Sequence, residues 1–257
     1  MDKLPQELID KIISSLDHTR PSGYSALLEC SLVSRSWLRQ ARKGLFSSIR
    51  LDAARLKEWV RDIPLENEIP SYIRYLAWAI RPTTTERPDP FLETTFPGRF
   101  VSFSNIEFLY LPKLSLSSLD IIGIERIFGH ISHSLRRLNI PQLETDPEKL
   151  CSFVSLLPNL RYMYTPFVTM VEGEGGSGPN SPPSFNFAGH IGPYSPTTDQ
   201  FFRCIAGLRP RFETLEARII NDELIDTFNL VVQSCSATLT TVLISPPLYG
   251  TTAGKST

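Results

Sequence analysis

Leu135-Arg-Arg-Leu-Asn-Ile140 and Leu160-Arg-Tyr-Met-Tyr-Thr165 decide how this chain is read. Both follow apolar-x-x-apolar-x-apolar, with the last place sometimes small or polar. The same phrase occurs at Phe46-Ser-Ser-Ile-Arg-Leu51, Ile73-Arg-Tyr-Leu-Ala-Trp78 and Ile106-Glu-Phe-Leu-Tyr-Leu111. It returns at Phe212-Glu-Thr-Leu-Glu-Ala217 and Leu239-Thr-Thr-Val-Leu-Ile244. Start-to-start spacings are 27, 33, 29, 25, 52 and 27 residues. The 52 is close to two periods, so one copy is displaced or unrecognisable. Three consecutive copies carry proline in the same phase, at Pro112, Pro141 and Pro166.

The segments between copies have helix signatures. Residues 119–131 are rich in apolar side chains. Residues 147–157 follow Asp146-Pro147, a capping residue before an N1 proline. Residues 198–208 and 221–235 read likewise, the latter opening on Asn-Asp-Glu. A strand and a helix every 25 to 33 residues is the arithmetic of a leucine-rich-repeat-like solenoid. No unit can cover its own apolar strand face and helix stripe, so neighbours must stack. An ordinary α/β sheet with coincidental spacing is the structural alternative; either way the class is α/β. The asparagine-ladder position of the standard repeat is missing, and proline takes part of that turn. Two stretches break the rhythm. Residues 81–98 hold Pro82, Pro88, Pro90 and Pro97. Residues 171–197 are rich in Gly and Pro and read as a disordered insertion, or as the place where the missing copy decayed. No capping helix follows the last copy, as in a chain cut from something longer, which predicts an exposed final edge.

Residues 1–46 read as helical. Leu8, Ile9, Ile12, Ile13 and Leu16 form a broad stripe at helical period, with Pro5 suited to the first turn. His18-Thr-Arg-Pro-Ser-Gly23 breaks the chain, a second helix fits residues 24–33, and Ser34 suits the N-cap of a third carrying Trp37, Leu38, Ala41 and Leu45. So many apolar side chains exceed what three short helices can cover. One side of the first stripe can face inward; the other needs another cover, from the downstream repeats or from a partner.

Composition excludes several classes. The 257 residues have 26 Lys+Arg against 27 Asp+Glu, so no global basic field exists to grip nucleic acid. No uncharged run approaches a membrane span, and no secretory signal opens the chain. Cys30, Cys151, Cys204 and Cys235 lack paired spacing and suggest buried thiols in a reducing compartment, cytoplasm or nucleus, with neither a disulfide frame nor a zinc site. Gly173-Glu-Gly-Gly-Ser-Gly178 satisfies G-x-G-x-x-G, but the prolines that follow deny it the helix a dinucleotide needs. Gly250-Thr-Thr-Ala-Gly-Lys-Ser-Thr257 is one residue short of a P-loop and has no helix to cap. A nucleotide-binding enzyme is the rival that would need one of these. His130 and His133 lack a third metal ligand. Arg35, Arg39, Arg42 and Lys43 make a charged face on the third helix, read as solvated. No catalytic constellation, metal site or cofactor site emerges.

Leu4-Pro5-x-Glu7-Leu8-x-x-x-Ile12-Ile13-x-x-Leu16, followed by Cys30-Ser31-Leu32-Val33-Ser34-Arg35-Ser36-Trp37, resembles an F-box. The longer polar turn over residues 17–25 departs from the family pattern. An F-box followed by degenerate leucine-rich-like repeats is similar to the large fungal F-box families. The resemblance implies a three-helix F-box over 1–46 and a leucine-rich-repeat-like region over 47–257. It implies docking on the Skp adaptor of a cullin–RING ubiquitin ligase, the SCF assembly. The adaptor-facing residues would be Leu4, Pro5, Leu8, Ile12, Leu16, Leu32, Val33 and Trp37, with Trp37 the leading anchor. The chain itself would do no bond chemistry, and an unknown protein substrate would bind the repeats. Binding the adaptor outside a ligase, as a scaffold, is the alternative. If the repeat's apolar positions face the core, Tyr75, Ala77, Phe108, Tyr110, Arg137, Asn139, Tyr162, Tyr164, Glu216 and Arg218 line the open strand face. They either recognise the target or merely cover the sheet.

Overall fold

The computed structural model describes residues 4–17, 20–52, 58, 68–78, 103–165, 167–171, 188–191, 198–207, 214–218 and 223–245. Contacts divide the chain into two units, Met1–Tyr110 and Leu111–Thr257. The helical head shares a unit with the first three strands.

Unit 1 begins with α1 (Gln6–Ser14), α2 (Pro21–Val33) and α3 (Arg35–Leu45). Pro5 stands at the N-cap of α1, where its missing N–H costs nothing. Helix α2 starts three residues before the expected residue 24, at Pro21. Gly23 makes that possible, because a Cβ there would lie 2.0 Å from the Asp17 carbonyl oxygen. Ser34 does occupy the N-cap of α3, but its hydroxyl pairs with Ser36 Oγ at 2.8 Å and caps no amide. Strands β1 (Ser48–Leu51), β2 (Tyr75–Trp78) and β3 (Phe108–Tyr110) follow, with the short helix α4 (Ile69–Tyr72) before β2. They pair in parallel, Ser48 with Tyr75 and Tyr75 with Phe108. Helix α3 packs on α4, where the Tyr72 hydroxyl donates to the Glu68 carboxylate and also meets Arg39. The backbone locks head to sheet: Ser47 O accepts from the N–H of Arg74 and of Tyr75, both at 2.9 Å.

In unit 2, strands β4 (Lys113–Ser115), β5 (Arg137–Asn139), β6 (Gln142–Thr145), β7 (Tyr162–Tyr164), β8 (Phe167–Met170), β9 (Ala188–Ile191), β10 (Thr214–Arg218) and β11 (Thr241–Ser245) build two parallel sheets. One has the order β5-β7-β9-β10-β11; the other is β4-β6-β8. The helices are α5 (Ile121–Phe128), α6 (Pro147–Ser155), α7 (Thr198–Gly207) and α8 (Glu223–Ser234). Asp120 and Asp146 cap the first two by accepting from Gly123 N and Lys149 N, at 2.6 and 2.9 Å. Each helix packs on the next in chain order. Phe128 meets Phe153 edge-on at 4.9 Å, and Phe202 meets Phe228 at 5.9 Å.

Register and sequence phase coincide. Ile73, Leu76 and Trp78 are buried, as are Ile106, Leu109 and Leu111; Leu135, Leu138 and Ile140; and Leu160, Met163 and Thr165. These are the three keyed positions of four successive copies. The in-phase prolines have a structural counterpart. Leu111 and Ile140 extend the first ladder by donating to Asn139 O and Tyr164 O, both at 2.8 Å. Pro112 and Pro141 come next and have no N–H to continue it. The chain turns there into the second sheet, whose strands begin at Lys113 and Gln142. Pro166 lies outside the described residues.

The missing copy is found within the stretch expected to be a disordered insertion. Strand β9 pairs Tyr162 with Ala188 and Gly189 with Leu215, so the gap of 52 residues is two steps of 26. It escaped the pattern because Gly189 takes the central apolar place and Asn186 the first. Residues 172–187 and 192–197, like 81–98, lie outside the described residues. Among the described strands β11 stands last in its sheet, and its Val242, Leu243 and Ile244 are exposed.

Glu144 ties the second sheet across repeats. Its Oε1 accepts from Ser117 Oγ at 2.6 Å and Ser115 Oγ at 3.1 Å. The Ser117 hydrogen bond holds its carboxyl below the ordinary value against partial burial, with help from Ser115 and Lys113. A depressed carboxylate stabilises the fold fully above its unfolded pKa and loses that contribution as pH falls through the folded value. Thermal melts of Glu144→Gln should therefore lie below those of the parent at pH 7, and the two should converge below about pH 4. His190→Pro, in a strand laddered on both sides, should lower the melting temperature of unit 2 by at least about 5 °C; a true mobile insertion would tolerate it.

Candidate partner-binding surfaces

The head has its own small core. Ile9, Ile13, Leu27 and Ala41 are buried together, with Leu16, Cys30, Trp37 and Leu45 packed partly against them. On α1 the buried pair Ile9 and Ile13 alternates with Ile12 and Leu8, which lie exposed with Leu4 one turn before. The broad stripe thus splits in two, one ridge inward and one in water. Helix α2 repeats the division. Leu27 is buried, while Tyr24, Leu28 and Leu32 face solvent at i, i+4 spacing. Leu32 is 86% exposed and Val33 63%, although burying either would contribute roughly 1.5–3 kcal/mol.

Of the residues the resemblance places toward the adaptor, Leu4, Pro5, Leu8, Ile12, Leu32 and Val33 are exposed. Leu16 and Trp37 are half-buried against the head's core. Trp37 therefore has an internal packing role, and truncating it would disturb the head itself. Tyr24 and Leu28 belong to the exposed set and were not singled out from sequence; the 24–28–32 spacing is the signal that could have found them. Arg35, Arg39, Arg42 and Lys43 are all exposed.

Each unit carries residues of the strand face. In unit 1, Tyr75 and Phe108 are register partners stacked at 4.4 Å with rings 9° apart, and Tyr110 lies beside Ala77. Ala77 itself is buried, contrary to the expected open position: a methyl next to Tyr110 is too short to reach solvent. Arg74 and Glu107, just before these strands, form a 3.0 Å ion pair. In unit 2, Arg137 pairs in register with Tyr162 and Asn139 with Tyr164. Arg137 and Tyr162 are exposed; Asn139 and Tyr164 are half-buried. The Asn139 Oδ1 is a buried acceptor with no hydrogen-bond partner. Glu216 and Arg218 lie on β10, and their side chains fall outside the described residues. Within unit 1 the structure brings together Tyr75, Phe108 and Tyr110, and within unit 2 Arg137, Asn139, Tyr162 and Tyr164.

An open groove of about 570 Å³ in unit 2 is lined by Ser117, Ser118, Leu119, Asp120, Ile121, Ile122 and Lys149. Its cation is engaged: Lys149 Nζ donates to Ser117 O at 2.7 Å and sits 3.5 Å from Asp146 Oδ2. Gly173–Gly178 and Gly250–Thr257 lie outside the described residues. Among the described residues, no group of three or more His, Cys, Asp or Glu is placed to hold a metal, and no helix is long and apolar enough to cross a membrane.

No protein-family model matches the chain, and no curated protein is significantly similar to it.

The division of the head into two ridges makes a direct forecast. Leu8→Ser with Leu32→Ser should change the stability of the full chain by no more than about 0.5 kcal/mol in denaturant melts. Leu27→Ala, inside the core, should cost about 2–5 kcal/mol.

Proposed function

We propose that this chain is the substrate-recruiting subunit of an SCF-type cullin–RING ubiquitin ligase. Residues 1–46 serve as the F-box that docks on the Skp adaptor. Residues 47–257 serve as a short, irregular leucine-rich-repeat-like solenoid that binds a protein target. The observation that carries this reading is the two-ridged head. Its own core is complete on one side, with Ile9, Ile13, Leu27 and Ala41 buried. Meanwhile Leu4, Leu8, Ile12, Leu32 and Val33, the positions the family motif assigns to the adaptor, remain in water. Exposed aliphatic residues of this kind suit the apolar pockets of a partner. The parallel strands spaced at the repeat period support the second half. Tyr and Arg on the strand face suit target recognition.

In this role the chain carries no catalytic residue, cofactor or metal. It works in the cytoplasm or nucleus by holding the target near the ubiquitin-loaded enzyme, which raises effective concentration. Nucleic acid and membrane are not partners.

Calorimetry of the full chain against purified Skp adaptor tests the docking surface. Leu8→Ser with Leu32→Ser should weaken binding by at least about 30-fold, or ~2 kcal/mol, with the fold intact. Undiminished affinity in that variant, or no binding by the parent, would remove the assignment. Co-purification from cells then separates the two uses of the interface. Adaptor together with cullin supports the ligase subunit; adaptor alone supports a scaffold outside the ligase.

A further inference from the structure

Two thiols that are 53 residues apart in the chain meet in unit 2. Cys151 on α6 and Cys204 on α7 place their Sγ atoms 3.6 Å apart. Both are half-buried, so a small solute can reach them. The helices that carry them are neighbours in the row, and α7 also packs on β8. Cys204 Sγ lies 3.6 Å from the Pro147 carbonyl oxygen as well, which gives its S–H a second acceptor. The contrast with Cys235 is informative. That thiol is buried and donates to Val231 O at 3.0 Å within its own helix turn. Cys30 packs against the core of the head, in unit 1.

A disulfide needs its sulfurs about 2.05 Å apart. At 3.6 Å the two sulfurs stand about 1.5 Å beyond that bond length. We propose that Cys151 and Cys204 are a dithiol that peroxide converts into a reversible disulfide, stapling Pro147–Ser155 to Thr198–Gly207. Cys151 is the sulfur that attacks the peroxide. Either thiol can donate across this contact; with Cys204 as the donor, the Cys151 thiolate is favoured and the Cys204 proton is held in place. In the first step the Cys151 sulfur takes one oxygen from hydrogen peroxide, giving a sulfenic acid and one water. In the second, Cys204 sulfur displaces the hydroxyl from Cys151, and its proton leaves with that oxygen as a second water. Two thiols are oxidised by two electrons in all, and one peroxide is reduced. A low-molecular-weight thiol reverses the bond by exchange.

The bridge would close a loop that spans β7, β8 and β9, the stretch containing the degenerate repeat. Cross-linking so long a loop restricts the unfolded chain and stabilises unit 2. The test uses the full chain, treated with a few equivalents of hydrogen peroxide and then digested without reduction. The expected result is loss of two titratable thiols, an intact mass lower by two hydrogens and a cross-linked Cys151–Cys204 peptide. The melting temperature should rise by roughly 5 °C and return on adding dithiothreitol. Cys151→Ala and Cys204→Ala should each abolish both the mass change and the shift. Oxygen adducts without a cross-link, a bridge through Cys30 or Cys235, or no reaction would overturn the proposal. The peptide map of the parent chain decides the matter even if a variant folds poorly.

Discussion

A three-residue strand with one buried side chain cannot hold itself together, and every repeat in this protein depends on pairing with the next. The central residues Leu76, Leu109, Leu138, Met163 and Leu215 are all sealed from water. Each lies in a parallel strand whose backbone is satisfied only by neighbours. Because the register step equals the sequence step, the same three apolar places recur in line. A one-residue slip in pairing register would turn those side chains to the opposite face. The spacings can vary from 25 to 33 residues because the connections absorb the difference outside the sheet.

Turning is handled by chemistry that differs from an asparagine ladder. Pro112 and Pro141 end one ladder, and the next few residues start another. Ser115, Ser117 and Glu144 then tie adjacent turns through charge-assisted hydrogen bonds. On the far side, the Phe128–Phe153 and Phe202–Phe228 contacts knit consecutive helices. On the last described strand, Val242, Leu243 and Ile244 are exposed.

The head illustrates a different economy of apolar surface. A helix needs only one ridge to join a small bundle, and α1 has two. The inward ridge packs on Leu27 and Ala41; among the described residues the outward ridge of Leu4, Leu8 and Ile12 is exposed. That asymmetry supports reading the head as half of an interface. The half-buried position of Trp37 redistributes the roles. The indole packs partly against the inward ridge, while Leu32 and Val33 are exposed.

Much of this was legible beforehand, because periodicity is a local property. The copies starting at Ile73, Ile106, Leu135 and Leu160, the caps at Asp146-Pro147 and the two-sided stripe of α1 could all be read from residue spacing alone. Strand β9 could not, since Gly189 and Asn186 erase the apolar signal and only its neighbours Met163 and Leu215 fix its register. The start of α2 at Pro21 also depended on a contact, the close approach of Gly23 to the Asp17 carbonyl. The approach of Cys151 to Cys204 and the half-burial of Trp37 are likewise invisible in the chain order. Hydrophobic period and proline phase determined the element type and the repeat by themselves. Which side chains meet across 53 residues, and which ridge stays dry, was decided only by packing between elements, α6 against α7 for the thiols and α1 and α2 against α3 for the ridge, and by nothing within them.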